Sequence, residues 1–350
     1  MSTATAAADL DVGLHSRAGA WVERRFRAMG STAHVVVLGG SEQDLDWAEQ
    51  ETARLEVLWS RFRPDSDVAR CTRDAGLRAT TVAPETVALV ERAIDAWHAT
   101  DGRFDPTVLR ALEAAGYDAT FEIVRARRQT RTVVTSAPPG APAIEVVLDD
   151  LLFGPADPAP GCAGITIDRE RSTLALPAGV GLDLGGIGKG AAADHLAVML
   201  VGRGAAGACV ALGGDVRAAG AVLGGAPWPV PVEDPFDESR TMLVVPLQDA
   251  AVVTSTRLIH RWLRNGVEQH HVVDPATGRP ARRGVAAVIV SAGEAWWAEI
   301  LAKAALVAGV RSGVALLERH EVAGWVVDDE QRVWPTGRAA RGTDGQGAWR

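Results

Sequence analysis

A glycine-rich stretch in the middle of the chain combines residue types that could bind an anionic ligand; it reads GLDLGGIGKG at residues 181–190. Its glycines lack a Cβ, so the backbone can approach a ligand closely or turn with a positive φ. Lys189 adds a positive charge suited to phosphate, while Asp183 and Asp194 could bind ribose hydroxyls, a metal ion or amides. The stretch therefore indicates a phosphate site, although a plain turn between a strand and a helix would have the same composition.

Two common nucleotide-binding motifs do not describe this stretch. Gly190 follows Lys189 at the position where a Walker P-loop needs a Ser or Thr for magnesium. The glycine spacing is G-x-G-x-G, which differs from the G-x-G-x-x-G of dinucleotide-binding folds. Neighbouring segments must therefore decide between a ligand site and a plain turn.

Three other segments are as distinctive as the glycine-rich stretch. They read FRAMGST at residues 26–32, TDGRFDPTV at 100–108 and HHVVDPATGRP at 270–280. Secondary matches are LWSRFRPDS at 58–66, LGGDV at 212–216 and AEILAK at 298–303. In this order the segments resemble the ApbE-type FAD:protein FMN transferase family, from about residue 26 to residue 309. The resemblance implies an ApbE-like (T-fold-related) α+β fold, with mixed sheets and packed helices in one large compact unit.

The resemblance also implies an activity and its partners. The enzyme would transfer FMN from FAD to a Thr or Ser hydroxyl of a target flavoprotein and release AMP. Catalysis of this kind depends mainly on positioning and electrostatics. Two alternatives remain open at this point: an FAD pyrophosphatase, in which water replaces the hydroxyl, and a non-catalytic FAD-binding protein.

The resemblance assigns a set of residues to the FAD pocket: Met29, Phe62, Arg103, Phe104, Asp105, Asp183, Lys189 and Val272. Lys189 would screen the pyrophosphate charge; the alternative is a solvated lysine at a helix start, where the helix dipole disfavours a cation. Phe62 would lie against the isoalloxazine, or else belong to the core. Pro106 keeps Asp105 extended, so its carboxylate either reaches the ligand or closes a local Asp-Pro turn.

His271 is the candidate general base, because a histidine titrates near working pH and can accept the proton of the acceptor hydroxyl. Asp274 would orient His271 or its loop, and we predict both residues to be catalytic. A structural role for His271 remains an alternative, and the adjacent His270 is a second candidate base.

The metal site is where the chain departs from the family. Relatives bind magnesium through a backbone oxygen, matched here by Gly186, and through an Asp and a Thr one helical turn apart. Glu299 and Lys303 occupy those two positions. Glu299 keeps an oxygen ligand, whereas a charged Lys303 cannot coordinate a metal. The sequence leaves three alternatives: a modified magnesium site of Gly186, Glu299 and Lys303, an exposed Glu–Lys pair on a helix, or a lysine that replaces part of the metal's charge.

The apolar pattern predicts the elements that position these residues. We expect helices at 41–58, 84–99, 191–202 and 296–308, and strands at 33–38, 208–212, 242–247, 286–291 and 324–327. Strands and helices mix without a regular βαβ rhythm, which favours the α+β class. Residues 1–20 and 336–350 are predicted to be flexible tails around one domain at 21–335, with a loop-rich connection at 132–160.

The composition of the chain limits the classes of binding partner and the cellular compartment that we expect. The chain has 36 Lys and Arg against 44 Asp and Glu, a net charge of −8 without a basic stripe, which argues against nucleic acid. Cys71, Cys162 and Cys209 suggest neither a disulfide framework nor a zinc site, and free thiols fit a reducing compartment. No apolar run approaches the ~20 residues of a membrane span and the start lacks a signal-peptide pattern. We therefore expect a cytoplasmic protein without membrane insertion.

Overall fold

The computed structural model describes residues 21–129, 156–264 and 267–342. The predicted tail at 1–20 and most of the predicted loop at 132–160 lie outside the described residues. The helices are α1 Glu42–Trp59, α2 Asp67–Asp74, α3 Pro84–Ala99, α4 Leu109–Ala114, α5 Phe121–Gln129, α6 Gly188–Gly202, α7 Ala295–Ala308, α8 Val310–Arg319 and α9 Gly337–Gly342.

The strands of the described chain are mostly short and are spread along its whole length. They are β1 Trp21–Ala28, β2 Ser31–Leu38, β3 Thr80–Thr81, β4 Thr166–Asp168, β5 Thr173–Ala175, β6 Gly207–Leu212, β7 Asp215–Gly220, β8 Trp228–Asp234, β9 Asp237–Leu247, β10 Ala251–Thr256, β11 Arg261–Arg264, β12 Val267–His270, β13 Val273–Asp274, β14 Arg279–Pro280, β15 Val285–Ala292, β16 Ala323–Asp328 and β17 Val333–Pro335.

One large sheet organises the molecule. In the described part of the chain, eight strands form it in the order β1-β2-β6-β7-β10-β15-β16-β17. Every neighbouring pair in this sheet is antiparallel. The helices α1, α6, α7 and α8 pack on or beside this sheet. The predicted α+β class is therefore confirmed.

The sheet is buried on both faces. Successive side chains of a strand point to opposite sides, and on β2 the side chains of Val35 and Val37 enter the core on the helical face. Val36 and Leu38 enter a second core on the other face, where the β8–β9 hairpin contributes Trp228. The sheet is therefore covered by an apolar core on each face. This explains why β2 contains a continuous apolar run.

Two tight turns lie side by side at one end of the sheet. Met29 and Gly30 connect β1 to β2 with φ of 50° and 70°, and Gly213 and Gly214 connect β6 to β7 with φ of 62° and 97°. Positive φ at both central residues is typical of two-residue type I′ hairpins. Glycine accepts this conformation without strain, whereas Met29 is held in it by its surroundings. Both turns line a large cavity at this end of the sheet.

The predicted helices and strands are confirmed, with shifted ends. The largest shifts are at α6, which begins at Gly188 instead of residue 191, and at β9, which begins at Asp237 instead of residue 242. The predicted C-terminal tail begins too early: Thr336 is buried, its hydroxyl bonds to Val322 and Gly324, and α9 follows it. Residues 343–350 lie outside the described residues.

Two expectations from composition can be compared with the fold. The three cysteines are free, as predicted, and all three are buried. None of the described helices is long and apolar enough to cross a membrane.

Candidate active site

A cavity of about 880 Å³ opens at the end of the sheet that carries the two tight turns. Its wall is built from segments that are far apart in the sequence, including the glycine-rich stretch and the loops before α4 and after β12. It is lined by all the predicted site residues except Asp274 and Glu299, namely Met29, Phe62, Arg103, Phe104, Asp105, Asp183, Gly186, Lys189, His271, Val272 and Lys303.

Lys189 lies in the first turn of α6 and is held by two carboxylates. Its Nζ is 3.1 Å from Oδ2 of Asp215 and 2.9 Å from Oε1 of Glu299. Burial alone would lower the pKa of Lys189, but the attraction of both carboxylates raises it above its usual value. Lys189 is therefore a fixed cation in the cavity wall, and not a solvated lysine at a helix start.

Glu299 on α7 binds a second lysine through the same oxygen. Lys303, one helical turn further along α7, places its Nζ 2.8 Å from Oε1 of Glu299. The other oxygen, Oε2, accepts a hydrogen bond of 2.9 Å from the backbone N–H of Gly190. Burial of Glu299 is complete and would raise its pKa, yet the two lysines lower it below the usual value. The carboxylate is thus ionised beneath the cavity wall.

Asp215, the first residue of β7, completes this cluster. Its side chain is buried, and burial together with the nearby charge of Glu299 raises its pKa. Sequence reasoning did not assign Asp215 a role, although it stands in the matched segment LGGDV. We refer to Lys189, Asp215, Glu299 and Lys303 below as the lysine–carboxylate cluster.

These residues do not fit a magnesium ion. Mg²⁺ requires oxygen ligands at about 2.0–2.1 Å in near-octahedral geometry. Here both oxygens of Glu299 already accept hydrogen bonds, and Oε1 faces two ammonium groups. In the described ranges, no group of three or more His, Cys, Asp or Glu side chains could hold a metal. The predicted metal ligands Gly186, Glu299 and Lys303 therefore form a different arrangement, in which the Lys303 stem lies against Gly186.

Asp194, in the second turn of α6, binds backbone amides. Its Oδ1 accepts from the N–H of Ala295 and its Oδ2 from that of Trp296, both at 2.9 Å. The sequence left ribose hydroxyls, a metal ion or amides as possible partners of Asp194. In the structure its partners are the backbone amides at the start of α7. Asp194 therefore joins the helix that carries Lys189 to the helix that carries Glu299.

Phe62 lines the cavity, and the guanidinium of Arg61 packs against its exposed ring. The guanidinium of Arg61 lies 4.2 Å from the centroid of the Phe62 ring and 4.6 Å from that of Tyr117. Nε of Arg61 is 3.2 Å from Oδ2 of Asp183, whose Oδ1 accepts from the N–H of Gly185. Phe62 remains 37% exposed, which excludes its assignment to the core. Sequence reasoning missed Arg61 and Tyr117, although Arg61 precedes Phe62 in the matched segment.

Asp105 lines the cavity, and its carboxylate closes a local turn. Oδ1 of Asp105 accepts from the N–H and the hydroxyl of Thr107, at 2.7 and 2.6 Å, so the carboxylate closes its own turn. The side chain is buried at the cavity wall, and burial raises its pKa. The carbonyl of Pro106 accepts from the N–H of Asp183, at 2.8 Å. The loop is therefore attached to the glycine-rich stretch and presents Arg103 and Phe104 to the cavity.

The two adjacent histidines have different surroundings. His271 lines the cavity and packs edge-on against His260, with ring centroids 5.0 Å apart. Burial, followed by the nearby His260 and Lys303, lowers the pKa of His271 well below 6.5, so its ring is neutral at pH 7 and can accept a proton. His270 is buried outside the cavity wall, and its Nε2 donates to the carbonyl of Ala281 at 2.9 Å. Of the two adjacent histidines, His271 is the one that lines the cavity. His260 lines it too, but had no sequence signal.

Asp274 orders the loop after β12. Its Oδ1 accepts from the N–H of Ala276 at 3.0 Å, and its Oδ2 is 3.4 Å from Nη2 of Arg283. Of the two alternatives for Asp274, the structure supports orientation of the loop, and it gives the carboxylate no contact with His271. These contacts indicate a positioning residue of the loop, and the catalytic role of Asp274 stays a prediction.

Known proteins share the sequence pattern and the fold of this chain. A sequence model of the ApbE family matches residues 29–326. A FAD:protein FMN transferase of Treponema pallidum is 30% identical over 273 residues, which cover 75% of this chain and 70% of that protein. The crystal structure of an ApbE protein from Thermotoga maritima is similar with a TM-score of 0.75 and 27% identity, covering 92% of this chain and 99% of that one. A flavin transferase ApbE from Vibrio cholerae shares the fold, with a TM-score of 0.71, 22% identity and coverage of 93% and 99%.

Proposed function

The chain belongs to the ApbE family, and we infer from this that it is an enzyme that transfers FMN from FAD to a Thr or Ser hydroxyl of an acceptor flavoprotein, releasing AMP. One observation carries this inference. Segments between residue 29 and residue 307 meet around one cavity, whose wall includes an exposed aromatic ring, a fixed lysine and a neutral histidine. These are the parts that flavin binding, charge screening and proton removal require.

The proposed reaction is a substitution at phosphorus. The oxygen of the acceptor hydroxyl attacks the FMN-side phosphorus of FAD and forms the new O–P bond. The bond from that phosphorus to the bridging oxygen breaks, and AMP leaves with the bridging oxygen. The hydroxyl proton passes to the neutral imidazole of His271 and then to water.

The cavity wall supports this reaction electrostatically. We propose that Lys189 lies beside the pyrophosphate, where its charge screens the two phosphates. Asp215 and Glu299 fix the ammonium before the substrate arrives, so no reorganisation is needed during the reaction. Phe62 would pack against the flavin, with Arg61 behind the ring holding its orientation.

The experiment uses purified protein, FAD and an acceptor domain that carries a Ser/Thr-Gly-Ala-Thr-like segment, with its target Thr replaced by Val as the control. In-gel fluorescence and mass spectrometry report flavin on the acceptor, and chromatography reports AMP. Covalent FMN on the acceptor with an equal amount of AMP, and neither product with the Val control, supports the transferase. Free FMN and AMP without acceptor indicate a pyrophosphatase, and unchanged bound FAD indicates a binding protein; either result overturns the proposal.

We also propose that the protein works in the cytoplasm. The three free and buried cysteines support this location, because a reducing compartment keeps thiols unpaired. Cell fractionation tests it.

A further inference from the structure

Two ammonium groups meet at one carboxylate oxygen beneath the cavity. The Nζ atoms of Lys189 and Lys303 lie 2.9 and 2.8 Å from Oε1 of Glu299. The side chain of Glu299 is fully buried, so this is not an exposed Glu–Lys pair on a helix surface. The resemblance to the family places a magnesium ligand at each of these two α7 positions, and in this chain the second one is a cation.

We propose that the Lys303 ammonium is the resident cation of this site, and that the chain binds FAD and transfers FMN without a divalent metal ion. The transfer step of this inference rests on the proposed function, whereas FAD binding does not.

The path of the Lys303 side chain supports the replacement. The stem runs along the glycine-rich stretch: a Cβ on Gly186 would lie 3.4 Å from Cδ and 3.5 Å from Cε of Lys303. Gly186 is the residue that the family resemblance matches to the backbone oxygen ligand. The stem is covered while the ammonium reaches the cavity, because the side chain is 19% exposed and lines the wall. Lys303 therefore reaches from α7 to Gly186, the residue that the resemblance matches to the backbone ligand of the metal.

The charges of the lysine–carboxylate cluster are balanced without a metal. Lys189 and Lys303 face Glu299 and Asp215, so two cations match two carboxyl groups. A divalent ion at Oε1 of Glu299 would lie beside two ammonium groups, and each would repel it. An ion that displaced them from Glu299 would leave Lys303 without its carboxylate partner in a largely buried site, and Lys189 with Asp215 alone. The two ammonium groups therefore disfavour binding of a divalent ion at Glu299.

An ammonium also has the chemistry that the reaction requires. It is a compact positive charge with up to three hydrogen-bond donors. One of the Lys303 donors is directed to Glu299, which anchors the group. The others can reach a phosphate oxygen of FAD in the cavity, where a fixed positive charge stabilises the charge that develops during transfer.

The test compares FAD binding by metal-stripped protein in EDTA and in Mg²⁺, followed by flavin fluorescence. Wild type is expected to bind FAD equally in both, and to transfer FMN at equal rates. Lys303→Thr is expected to lose roughly 10- to 100-fold in FAD affinity in EDTA, the range for one charge-assisted hydrogen bond, and to regain it with Mg²⁺. Lys303→Met keeps an unbranched stem but offers no charge and no oxygen, so it should lose affinity in EDTA and gain nothing from Mg²⁺.

Metal binding supplies a second readout that needs neither FAD nor acceptor. Mn²⁺ bound to the protein is counted by electron paramagnetic resonance. Wild type should bind none in the cavity, whereas Lys303→Thr should bind one ion, which Glu299→Gln in the same variant should abolish. Thermal melting of each variant establishes that it is folded.

The outcomes separate this inference from the proposed function. FAD affinity of wild type that requires Mg²⁺, or one Mn²⁺ bound by wild type and lost in Glu299→Gln, overturns the inference. Metal-independent FAD binding without any FMN transfer to the acceptor supports the resident-cation inference and overturns the transferase proposal alone.

Discussion

Adjacent residues can receive opposite roles when the chain is extended, and His270 and His271 are an example. Neighbouring side chains of an extended segment point to opposite sides. His270, the last residue of β12, points away from the cavity and donates to Ala281, whereas His271 enters the cavity beside His260. Both rings are neutral at pH 7, because burial lowers both pKa values. Position, and not protonation, therefore selects the base.

His271→Ala is expected to slow FMN transfer about 10²- to 10⁴-fold, the usual contribution of a general base. FAD affinity should change far less, because the base acts in the transition state. Single-turnover transfer and FAD titration measure the two effects, and His270→Gln, outside the cavity, is the control. A parallel loss of affinity and rate would give His271 a structural role instead.

At the residue scale, the sequence predicted which side chains line the cavity better than it predicted their partners. Lys189, Phe62 and His271 were found because each stands in a matched segment. Arg61 and Asp215 stand in matched segments too, but their roles come from contacts with Asp183 and Lys189, which are far away in the sequence. A local pattern does not contain such pairs.

The contact between α6 and α7 determines the geometry of the lysine–carboxylate cluster. The residue before α7, Glu294, makes no side-chain cap, and Asp194 of α6 accepts the first amides of α7 instead. Gly190 lets the helices approach: a Cβ there would lie 2.6 Å from the carbonyl oxygen of Ala295 and 2.7 Å from Cα of Trp296. The same residue donates its N–H to Glu299. Separation of the helices would therefore disturb the cluster.

Gly190→Ala is expected to lower the free energy of unfolding by about 1–3 kcal/mol, because the new methyl group overlaps backbone that cannot move alone. Gly202→Ala is a matched control at the end of the same helix, where a Cβ meets nothing within 4 Å. It should leave stability unchanged or raise it by up to about 1 kcal/mol, as alanine favours a helix. Urea unfolding measures both variants, and equal stabilities would contradict the close approach of α6 to α7.

Helix and strand positions were predicted where the local pattern agrees with the packing. The start of α6 was placed three residues late, because Gly188 and Gly190 are poor helix formers and resemble a turn. The packing against α7 overrides that propensity. The glycines of the predicted C-terminal tail likewise hid a helix from the sequence pattern. This helix, α9, follows Thr336, whose buried hydroxyl accepts a hydrogen bond from Gly324 of β16. Contacts distant in sequence decide both cases.

For the whole molecule, the fold class was predictable and the order of strands was not. The α+β class follows from the succession of elements and from the family resemblance. The order β2-β6-β7-β10 places β2 beside β6, although the paired residues Leu38 and Gly207 are far apart in the sequence. This pairing brings both tight turns and the glycine-rich stretch to one end of the sheet, so the cavity belongs to the complete fold and to no single segment.

The buried histidines make the stability of the whole molecule depend on pH. Burial lowers the pKa of His270 from 6.5 to about 4, while its Nδ1 is buried without a hydrogen-bond partner among the described residues. Between these two values His270 binds more protons in the unfolded chain than in the folded one, so its contribution to stability falls as the pH drops below about 6.5.

For His270 alone, the predicted loss is about 2 kcal/mol at pH 5 and about 3 kcal/mol below pH 4, at roughly 1.4 kcal/mol per pKa unit. His270→Gln keeps a donor for the carbonyl of Ala281 but cannot titrate. Urea unfolding at pH 7 and pH 5 should therefore show a decline that is about 2 kcal/mol smaller in the variant than in wild type. His260, His271 and His320, whose pKa values burial also lowers, still titrate in the variant and should contribute to the remaining decline. The same decline in both proteins would show that His270 is not the buried neutral group described here.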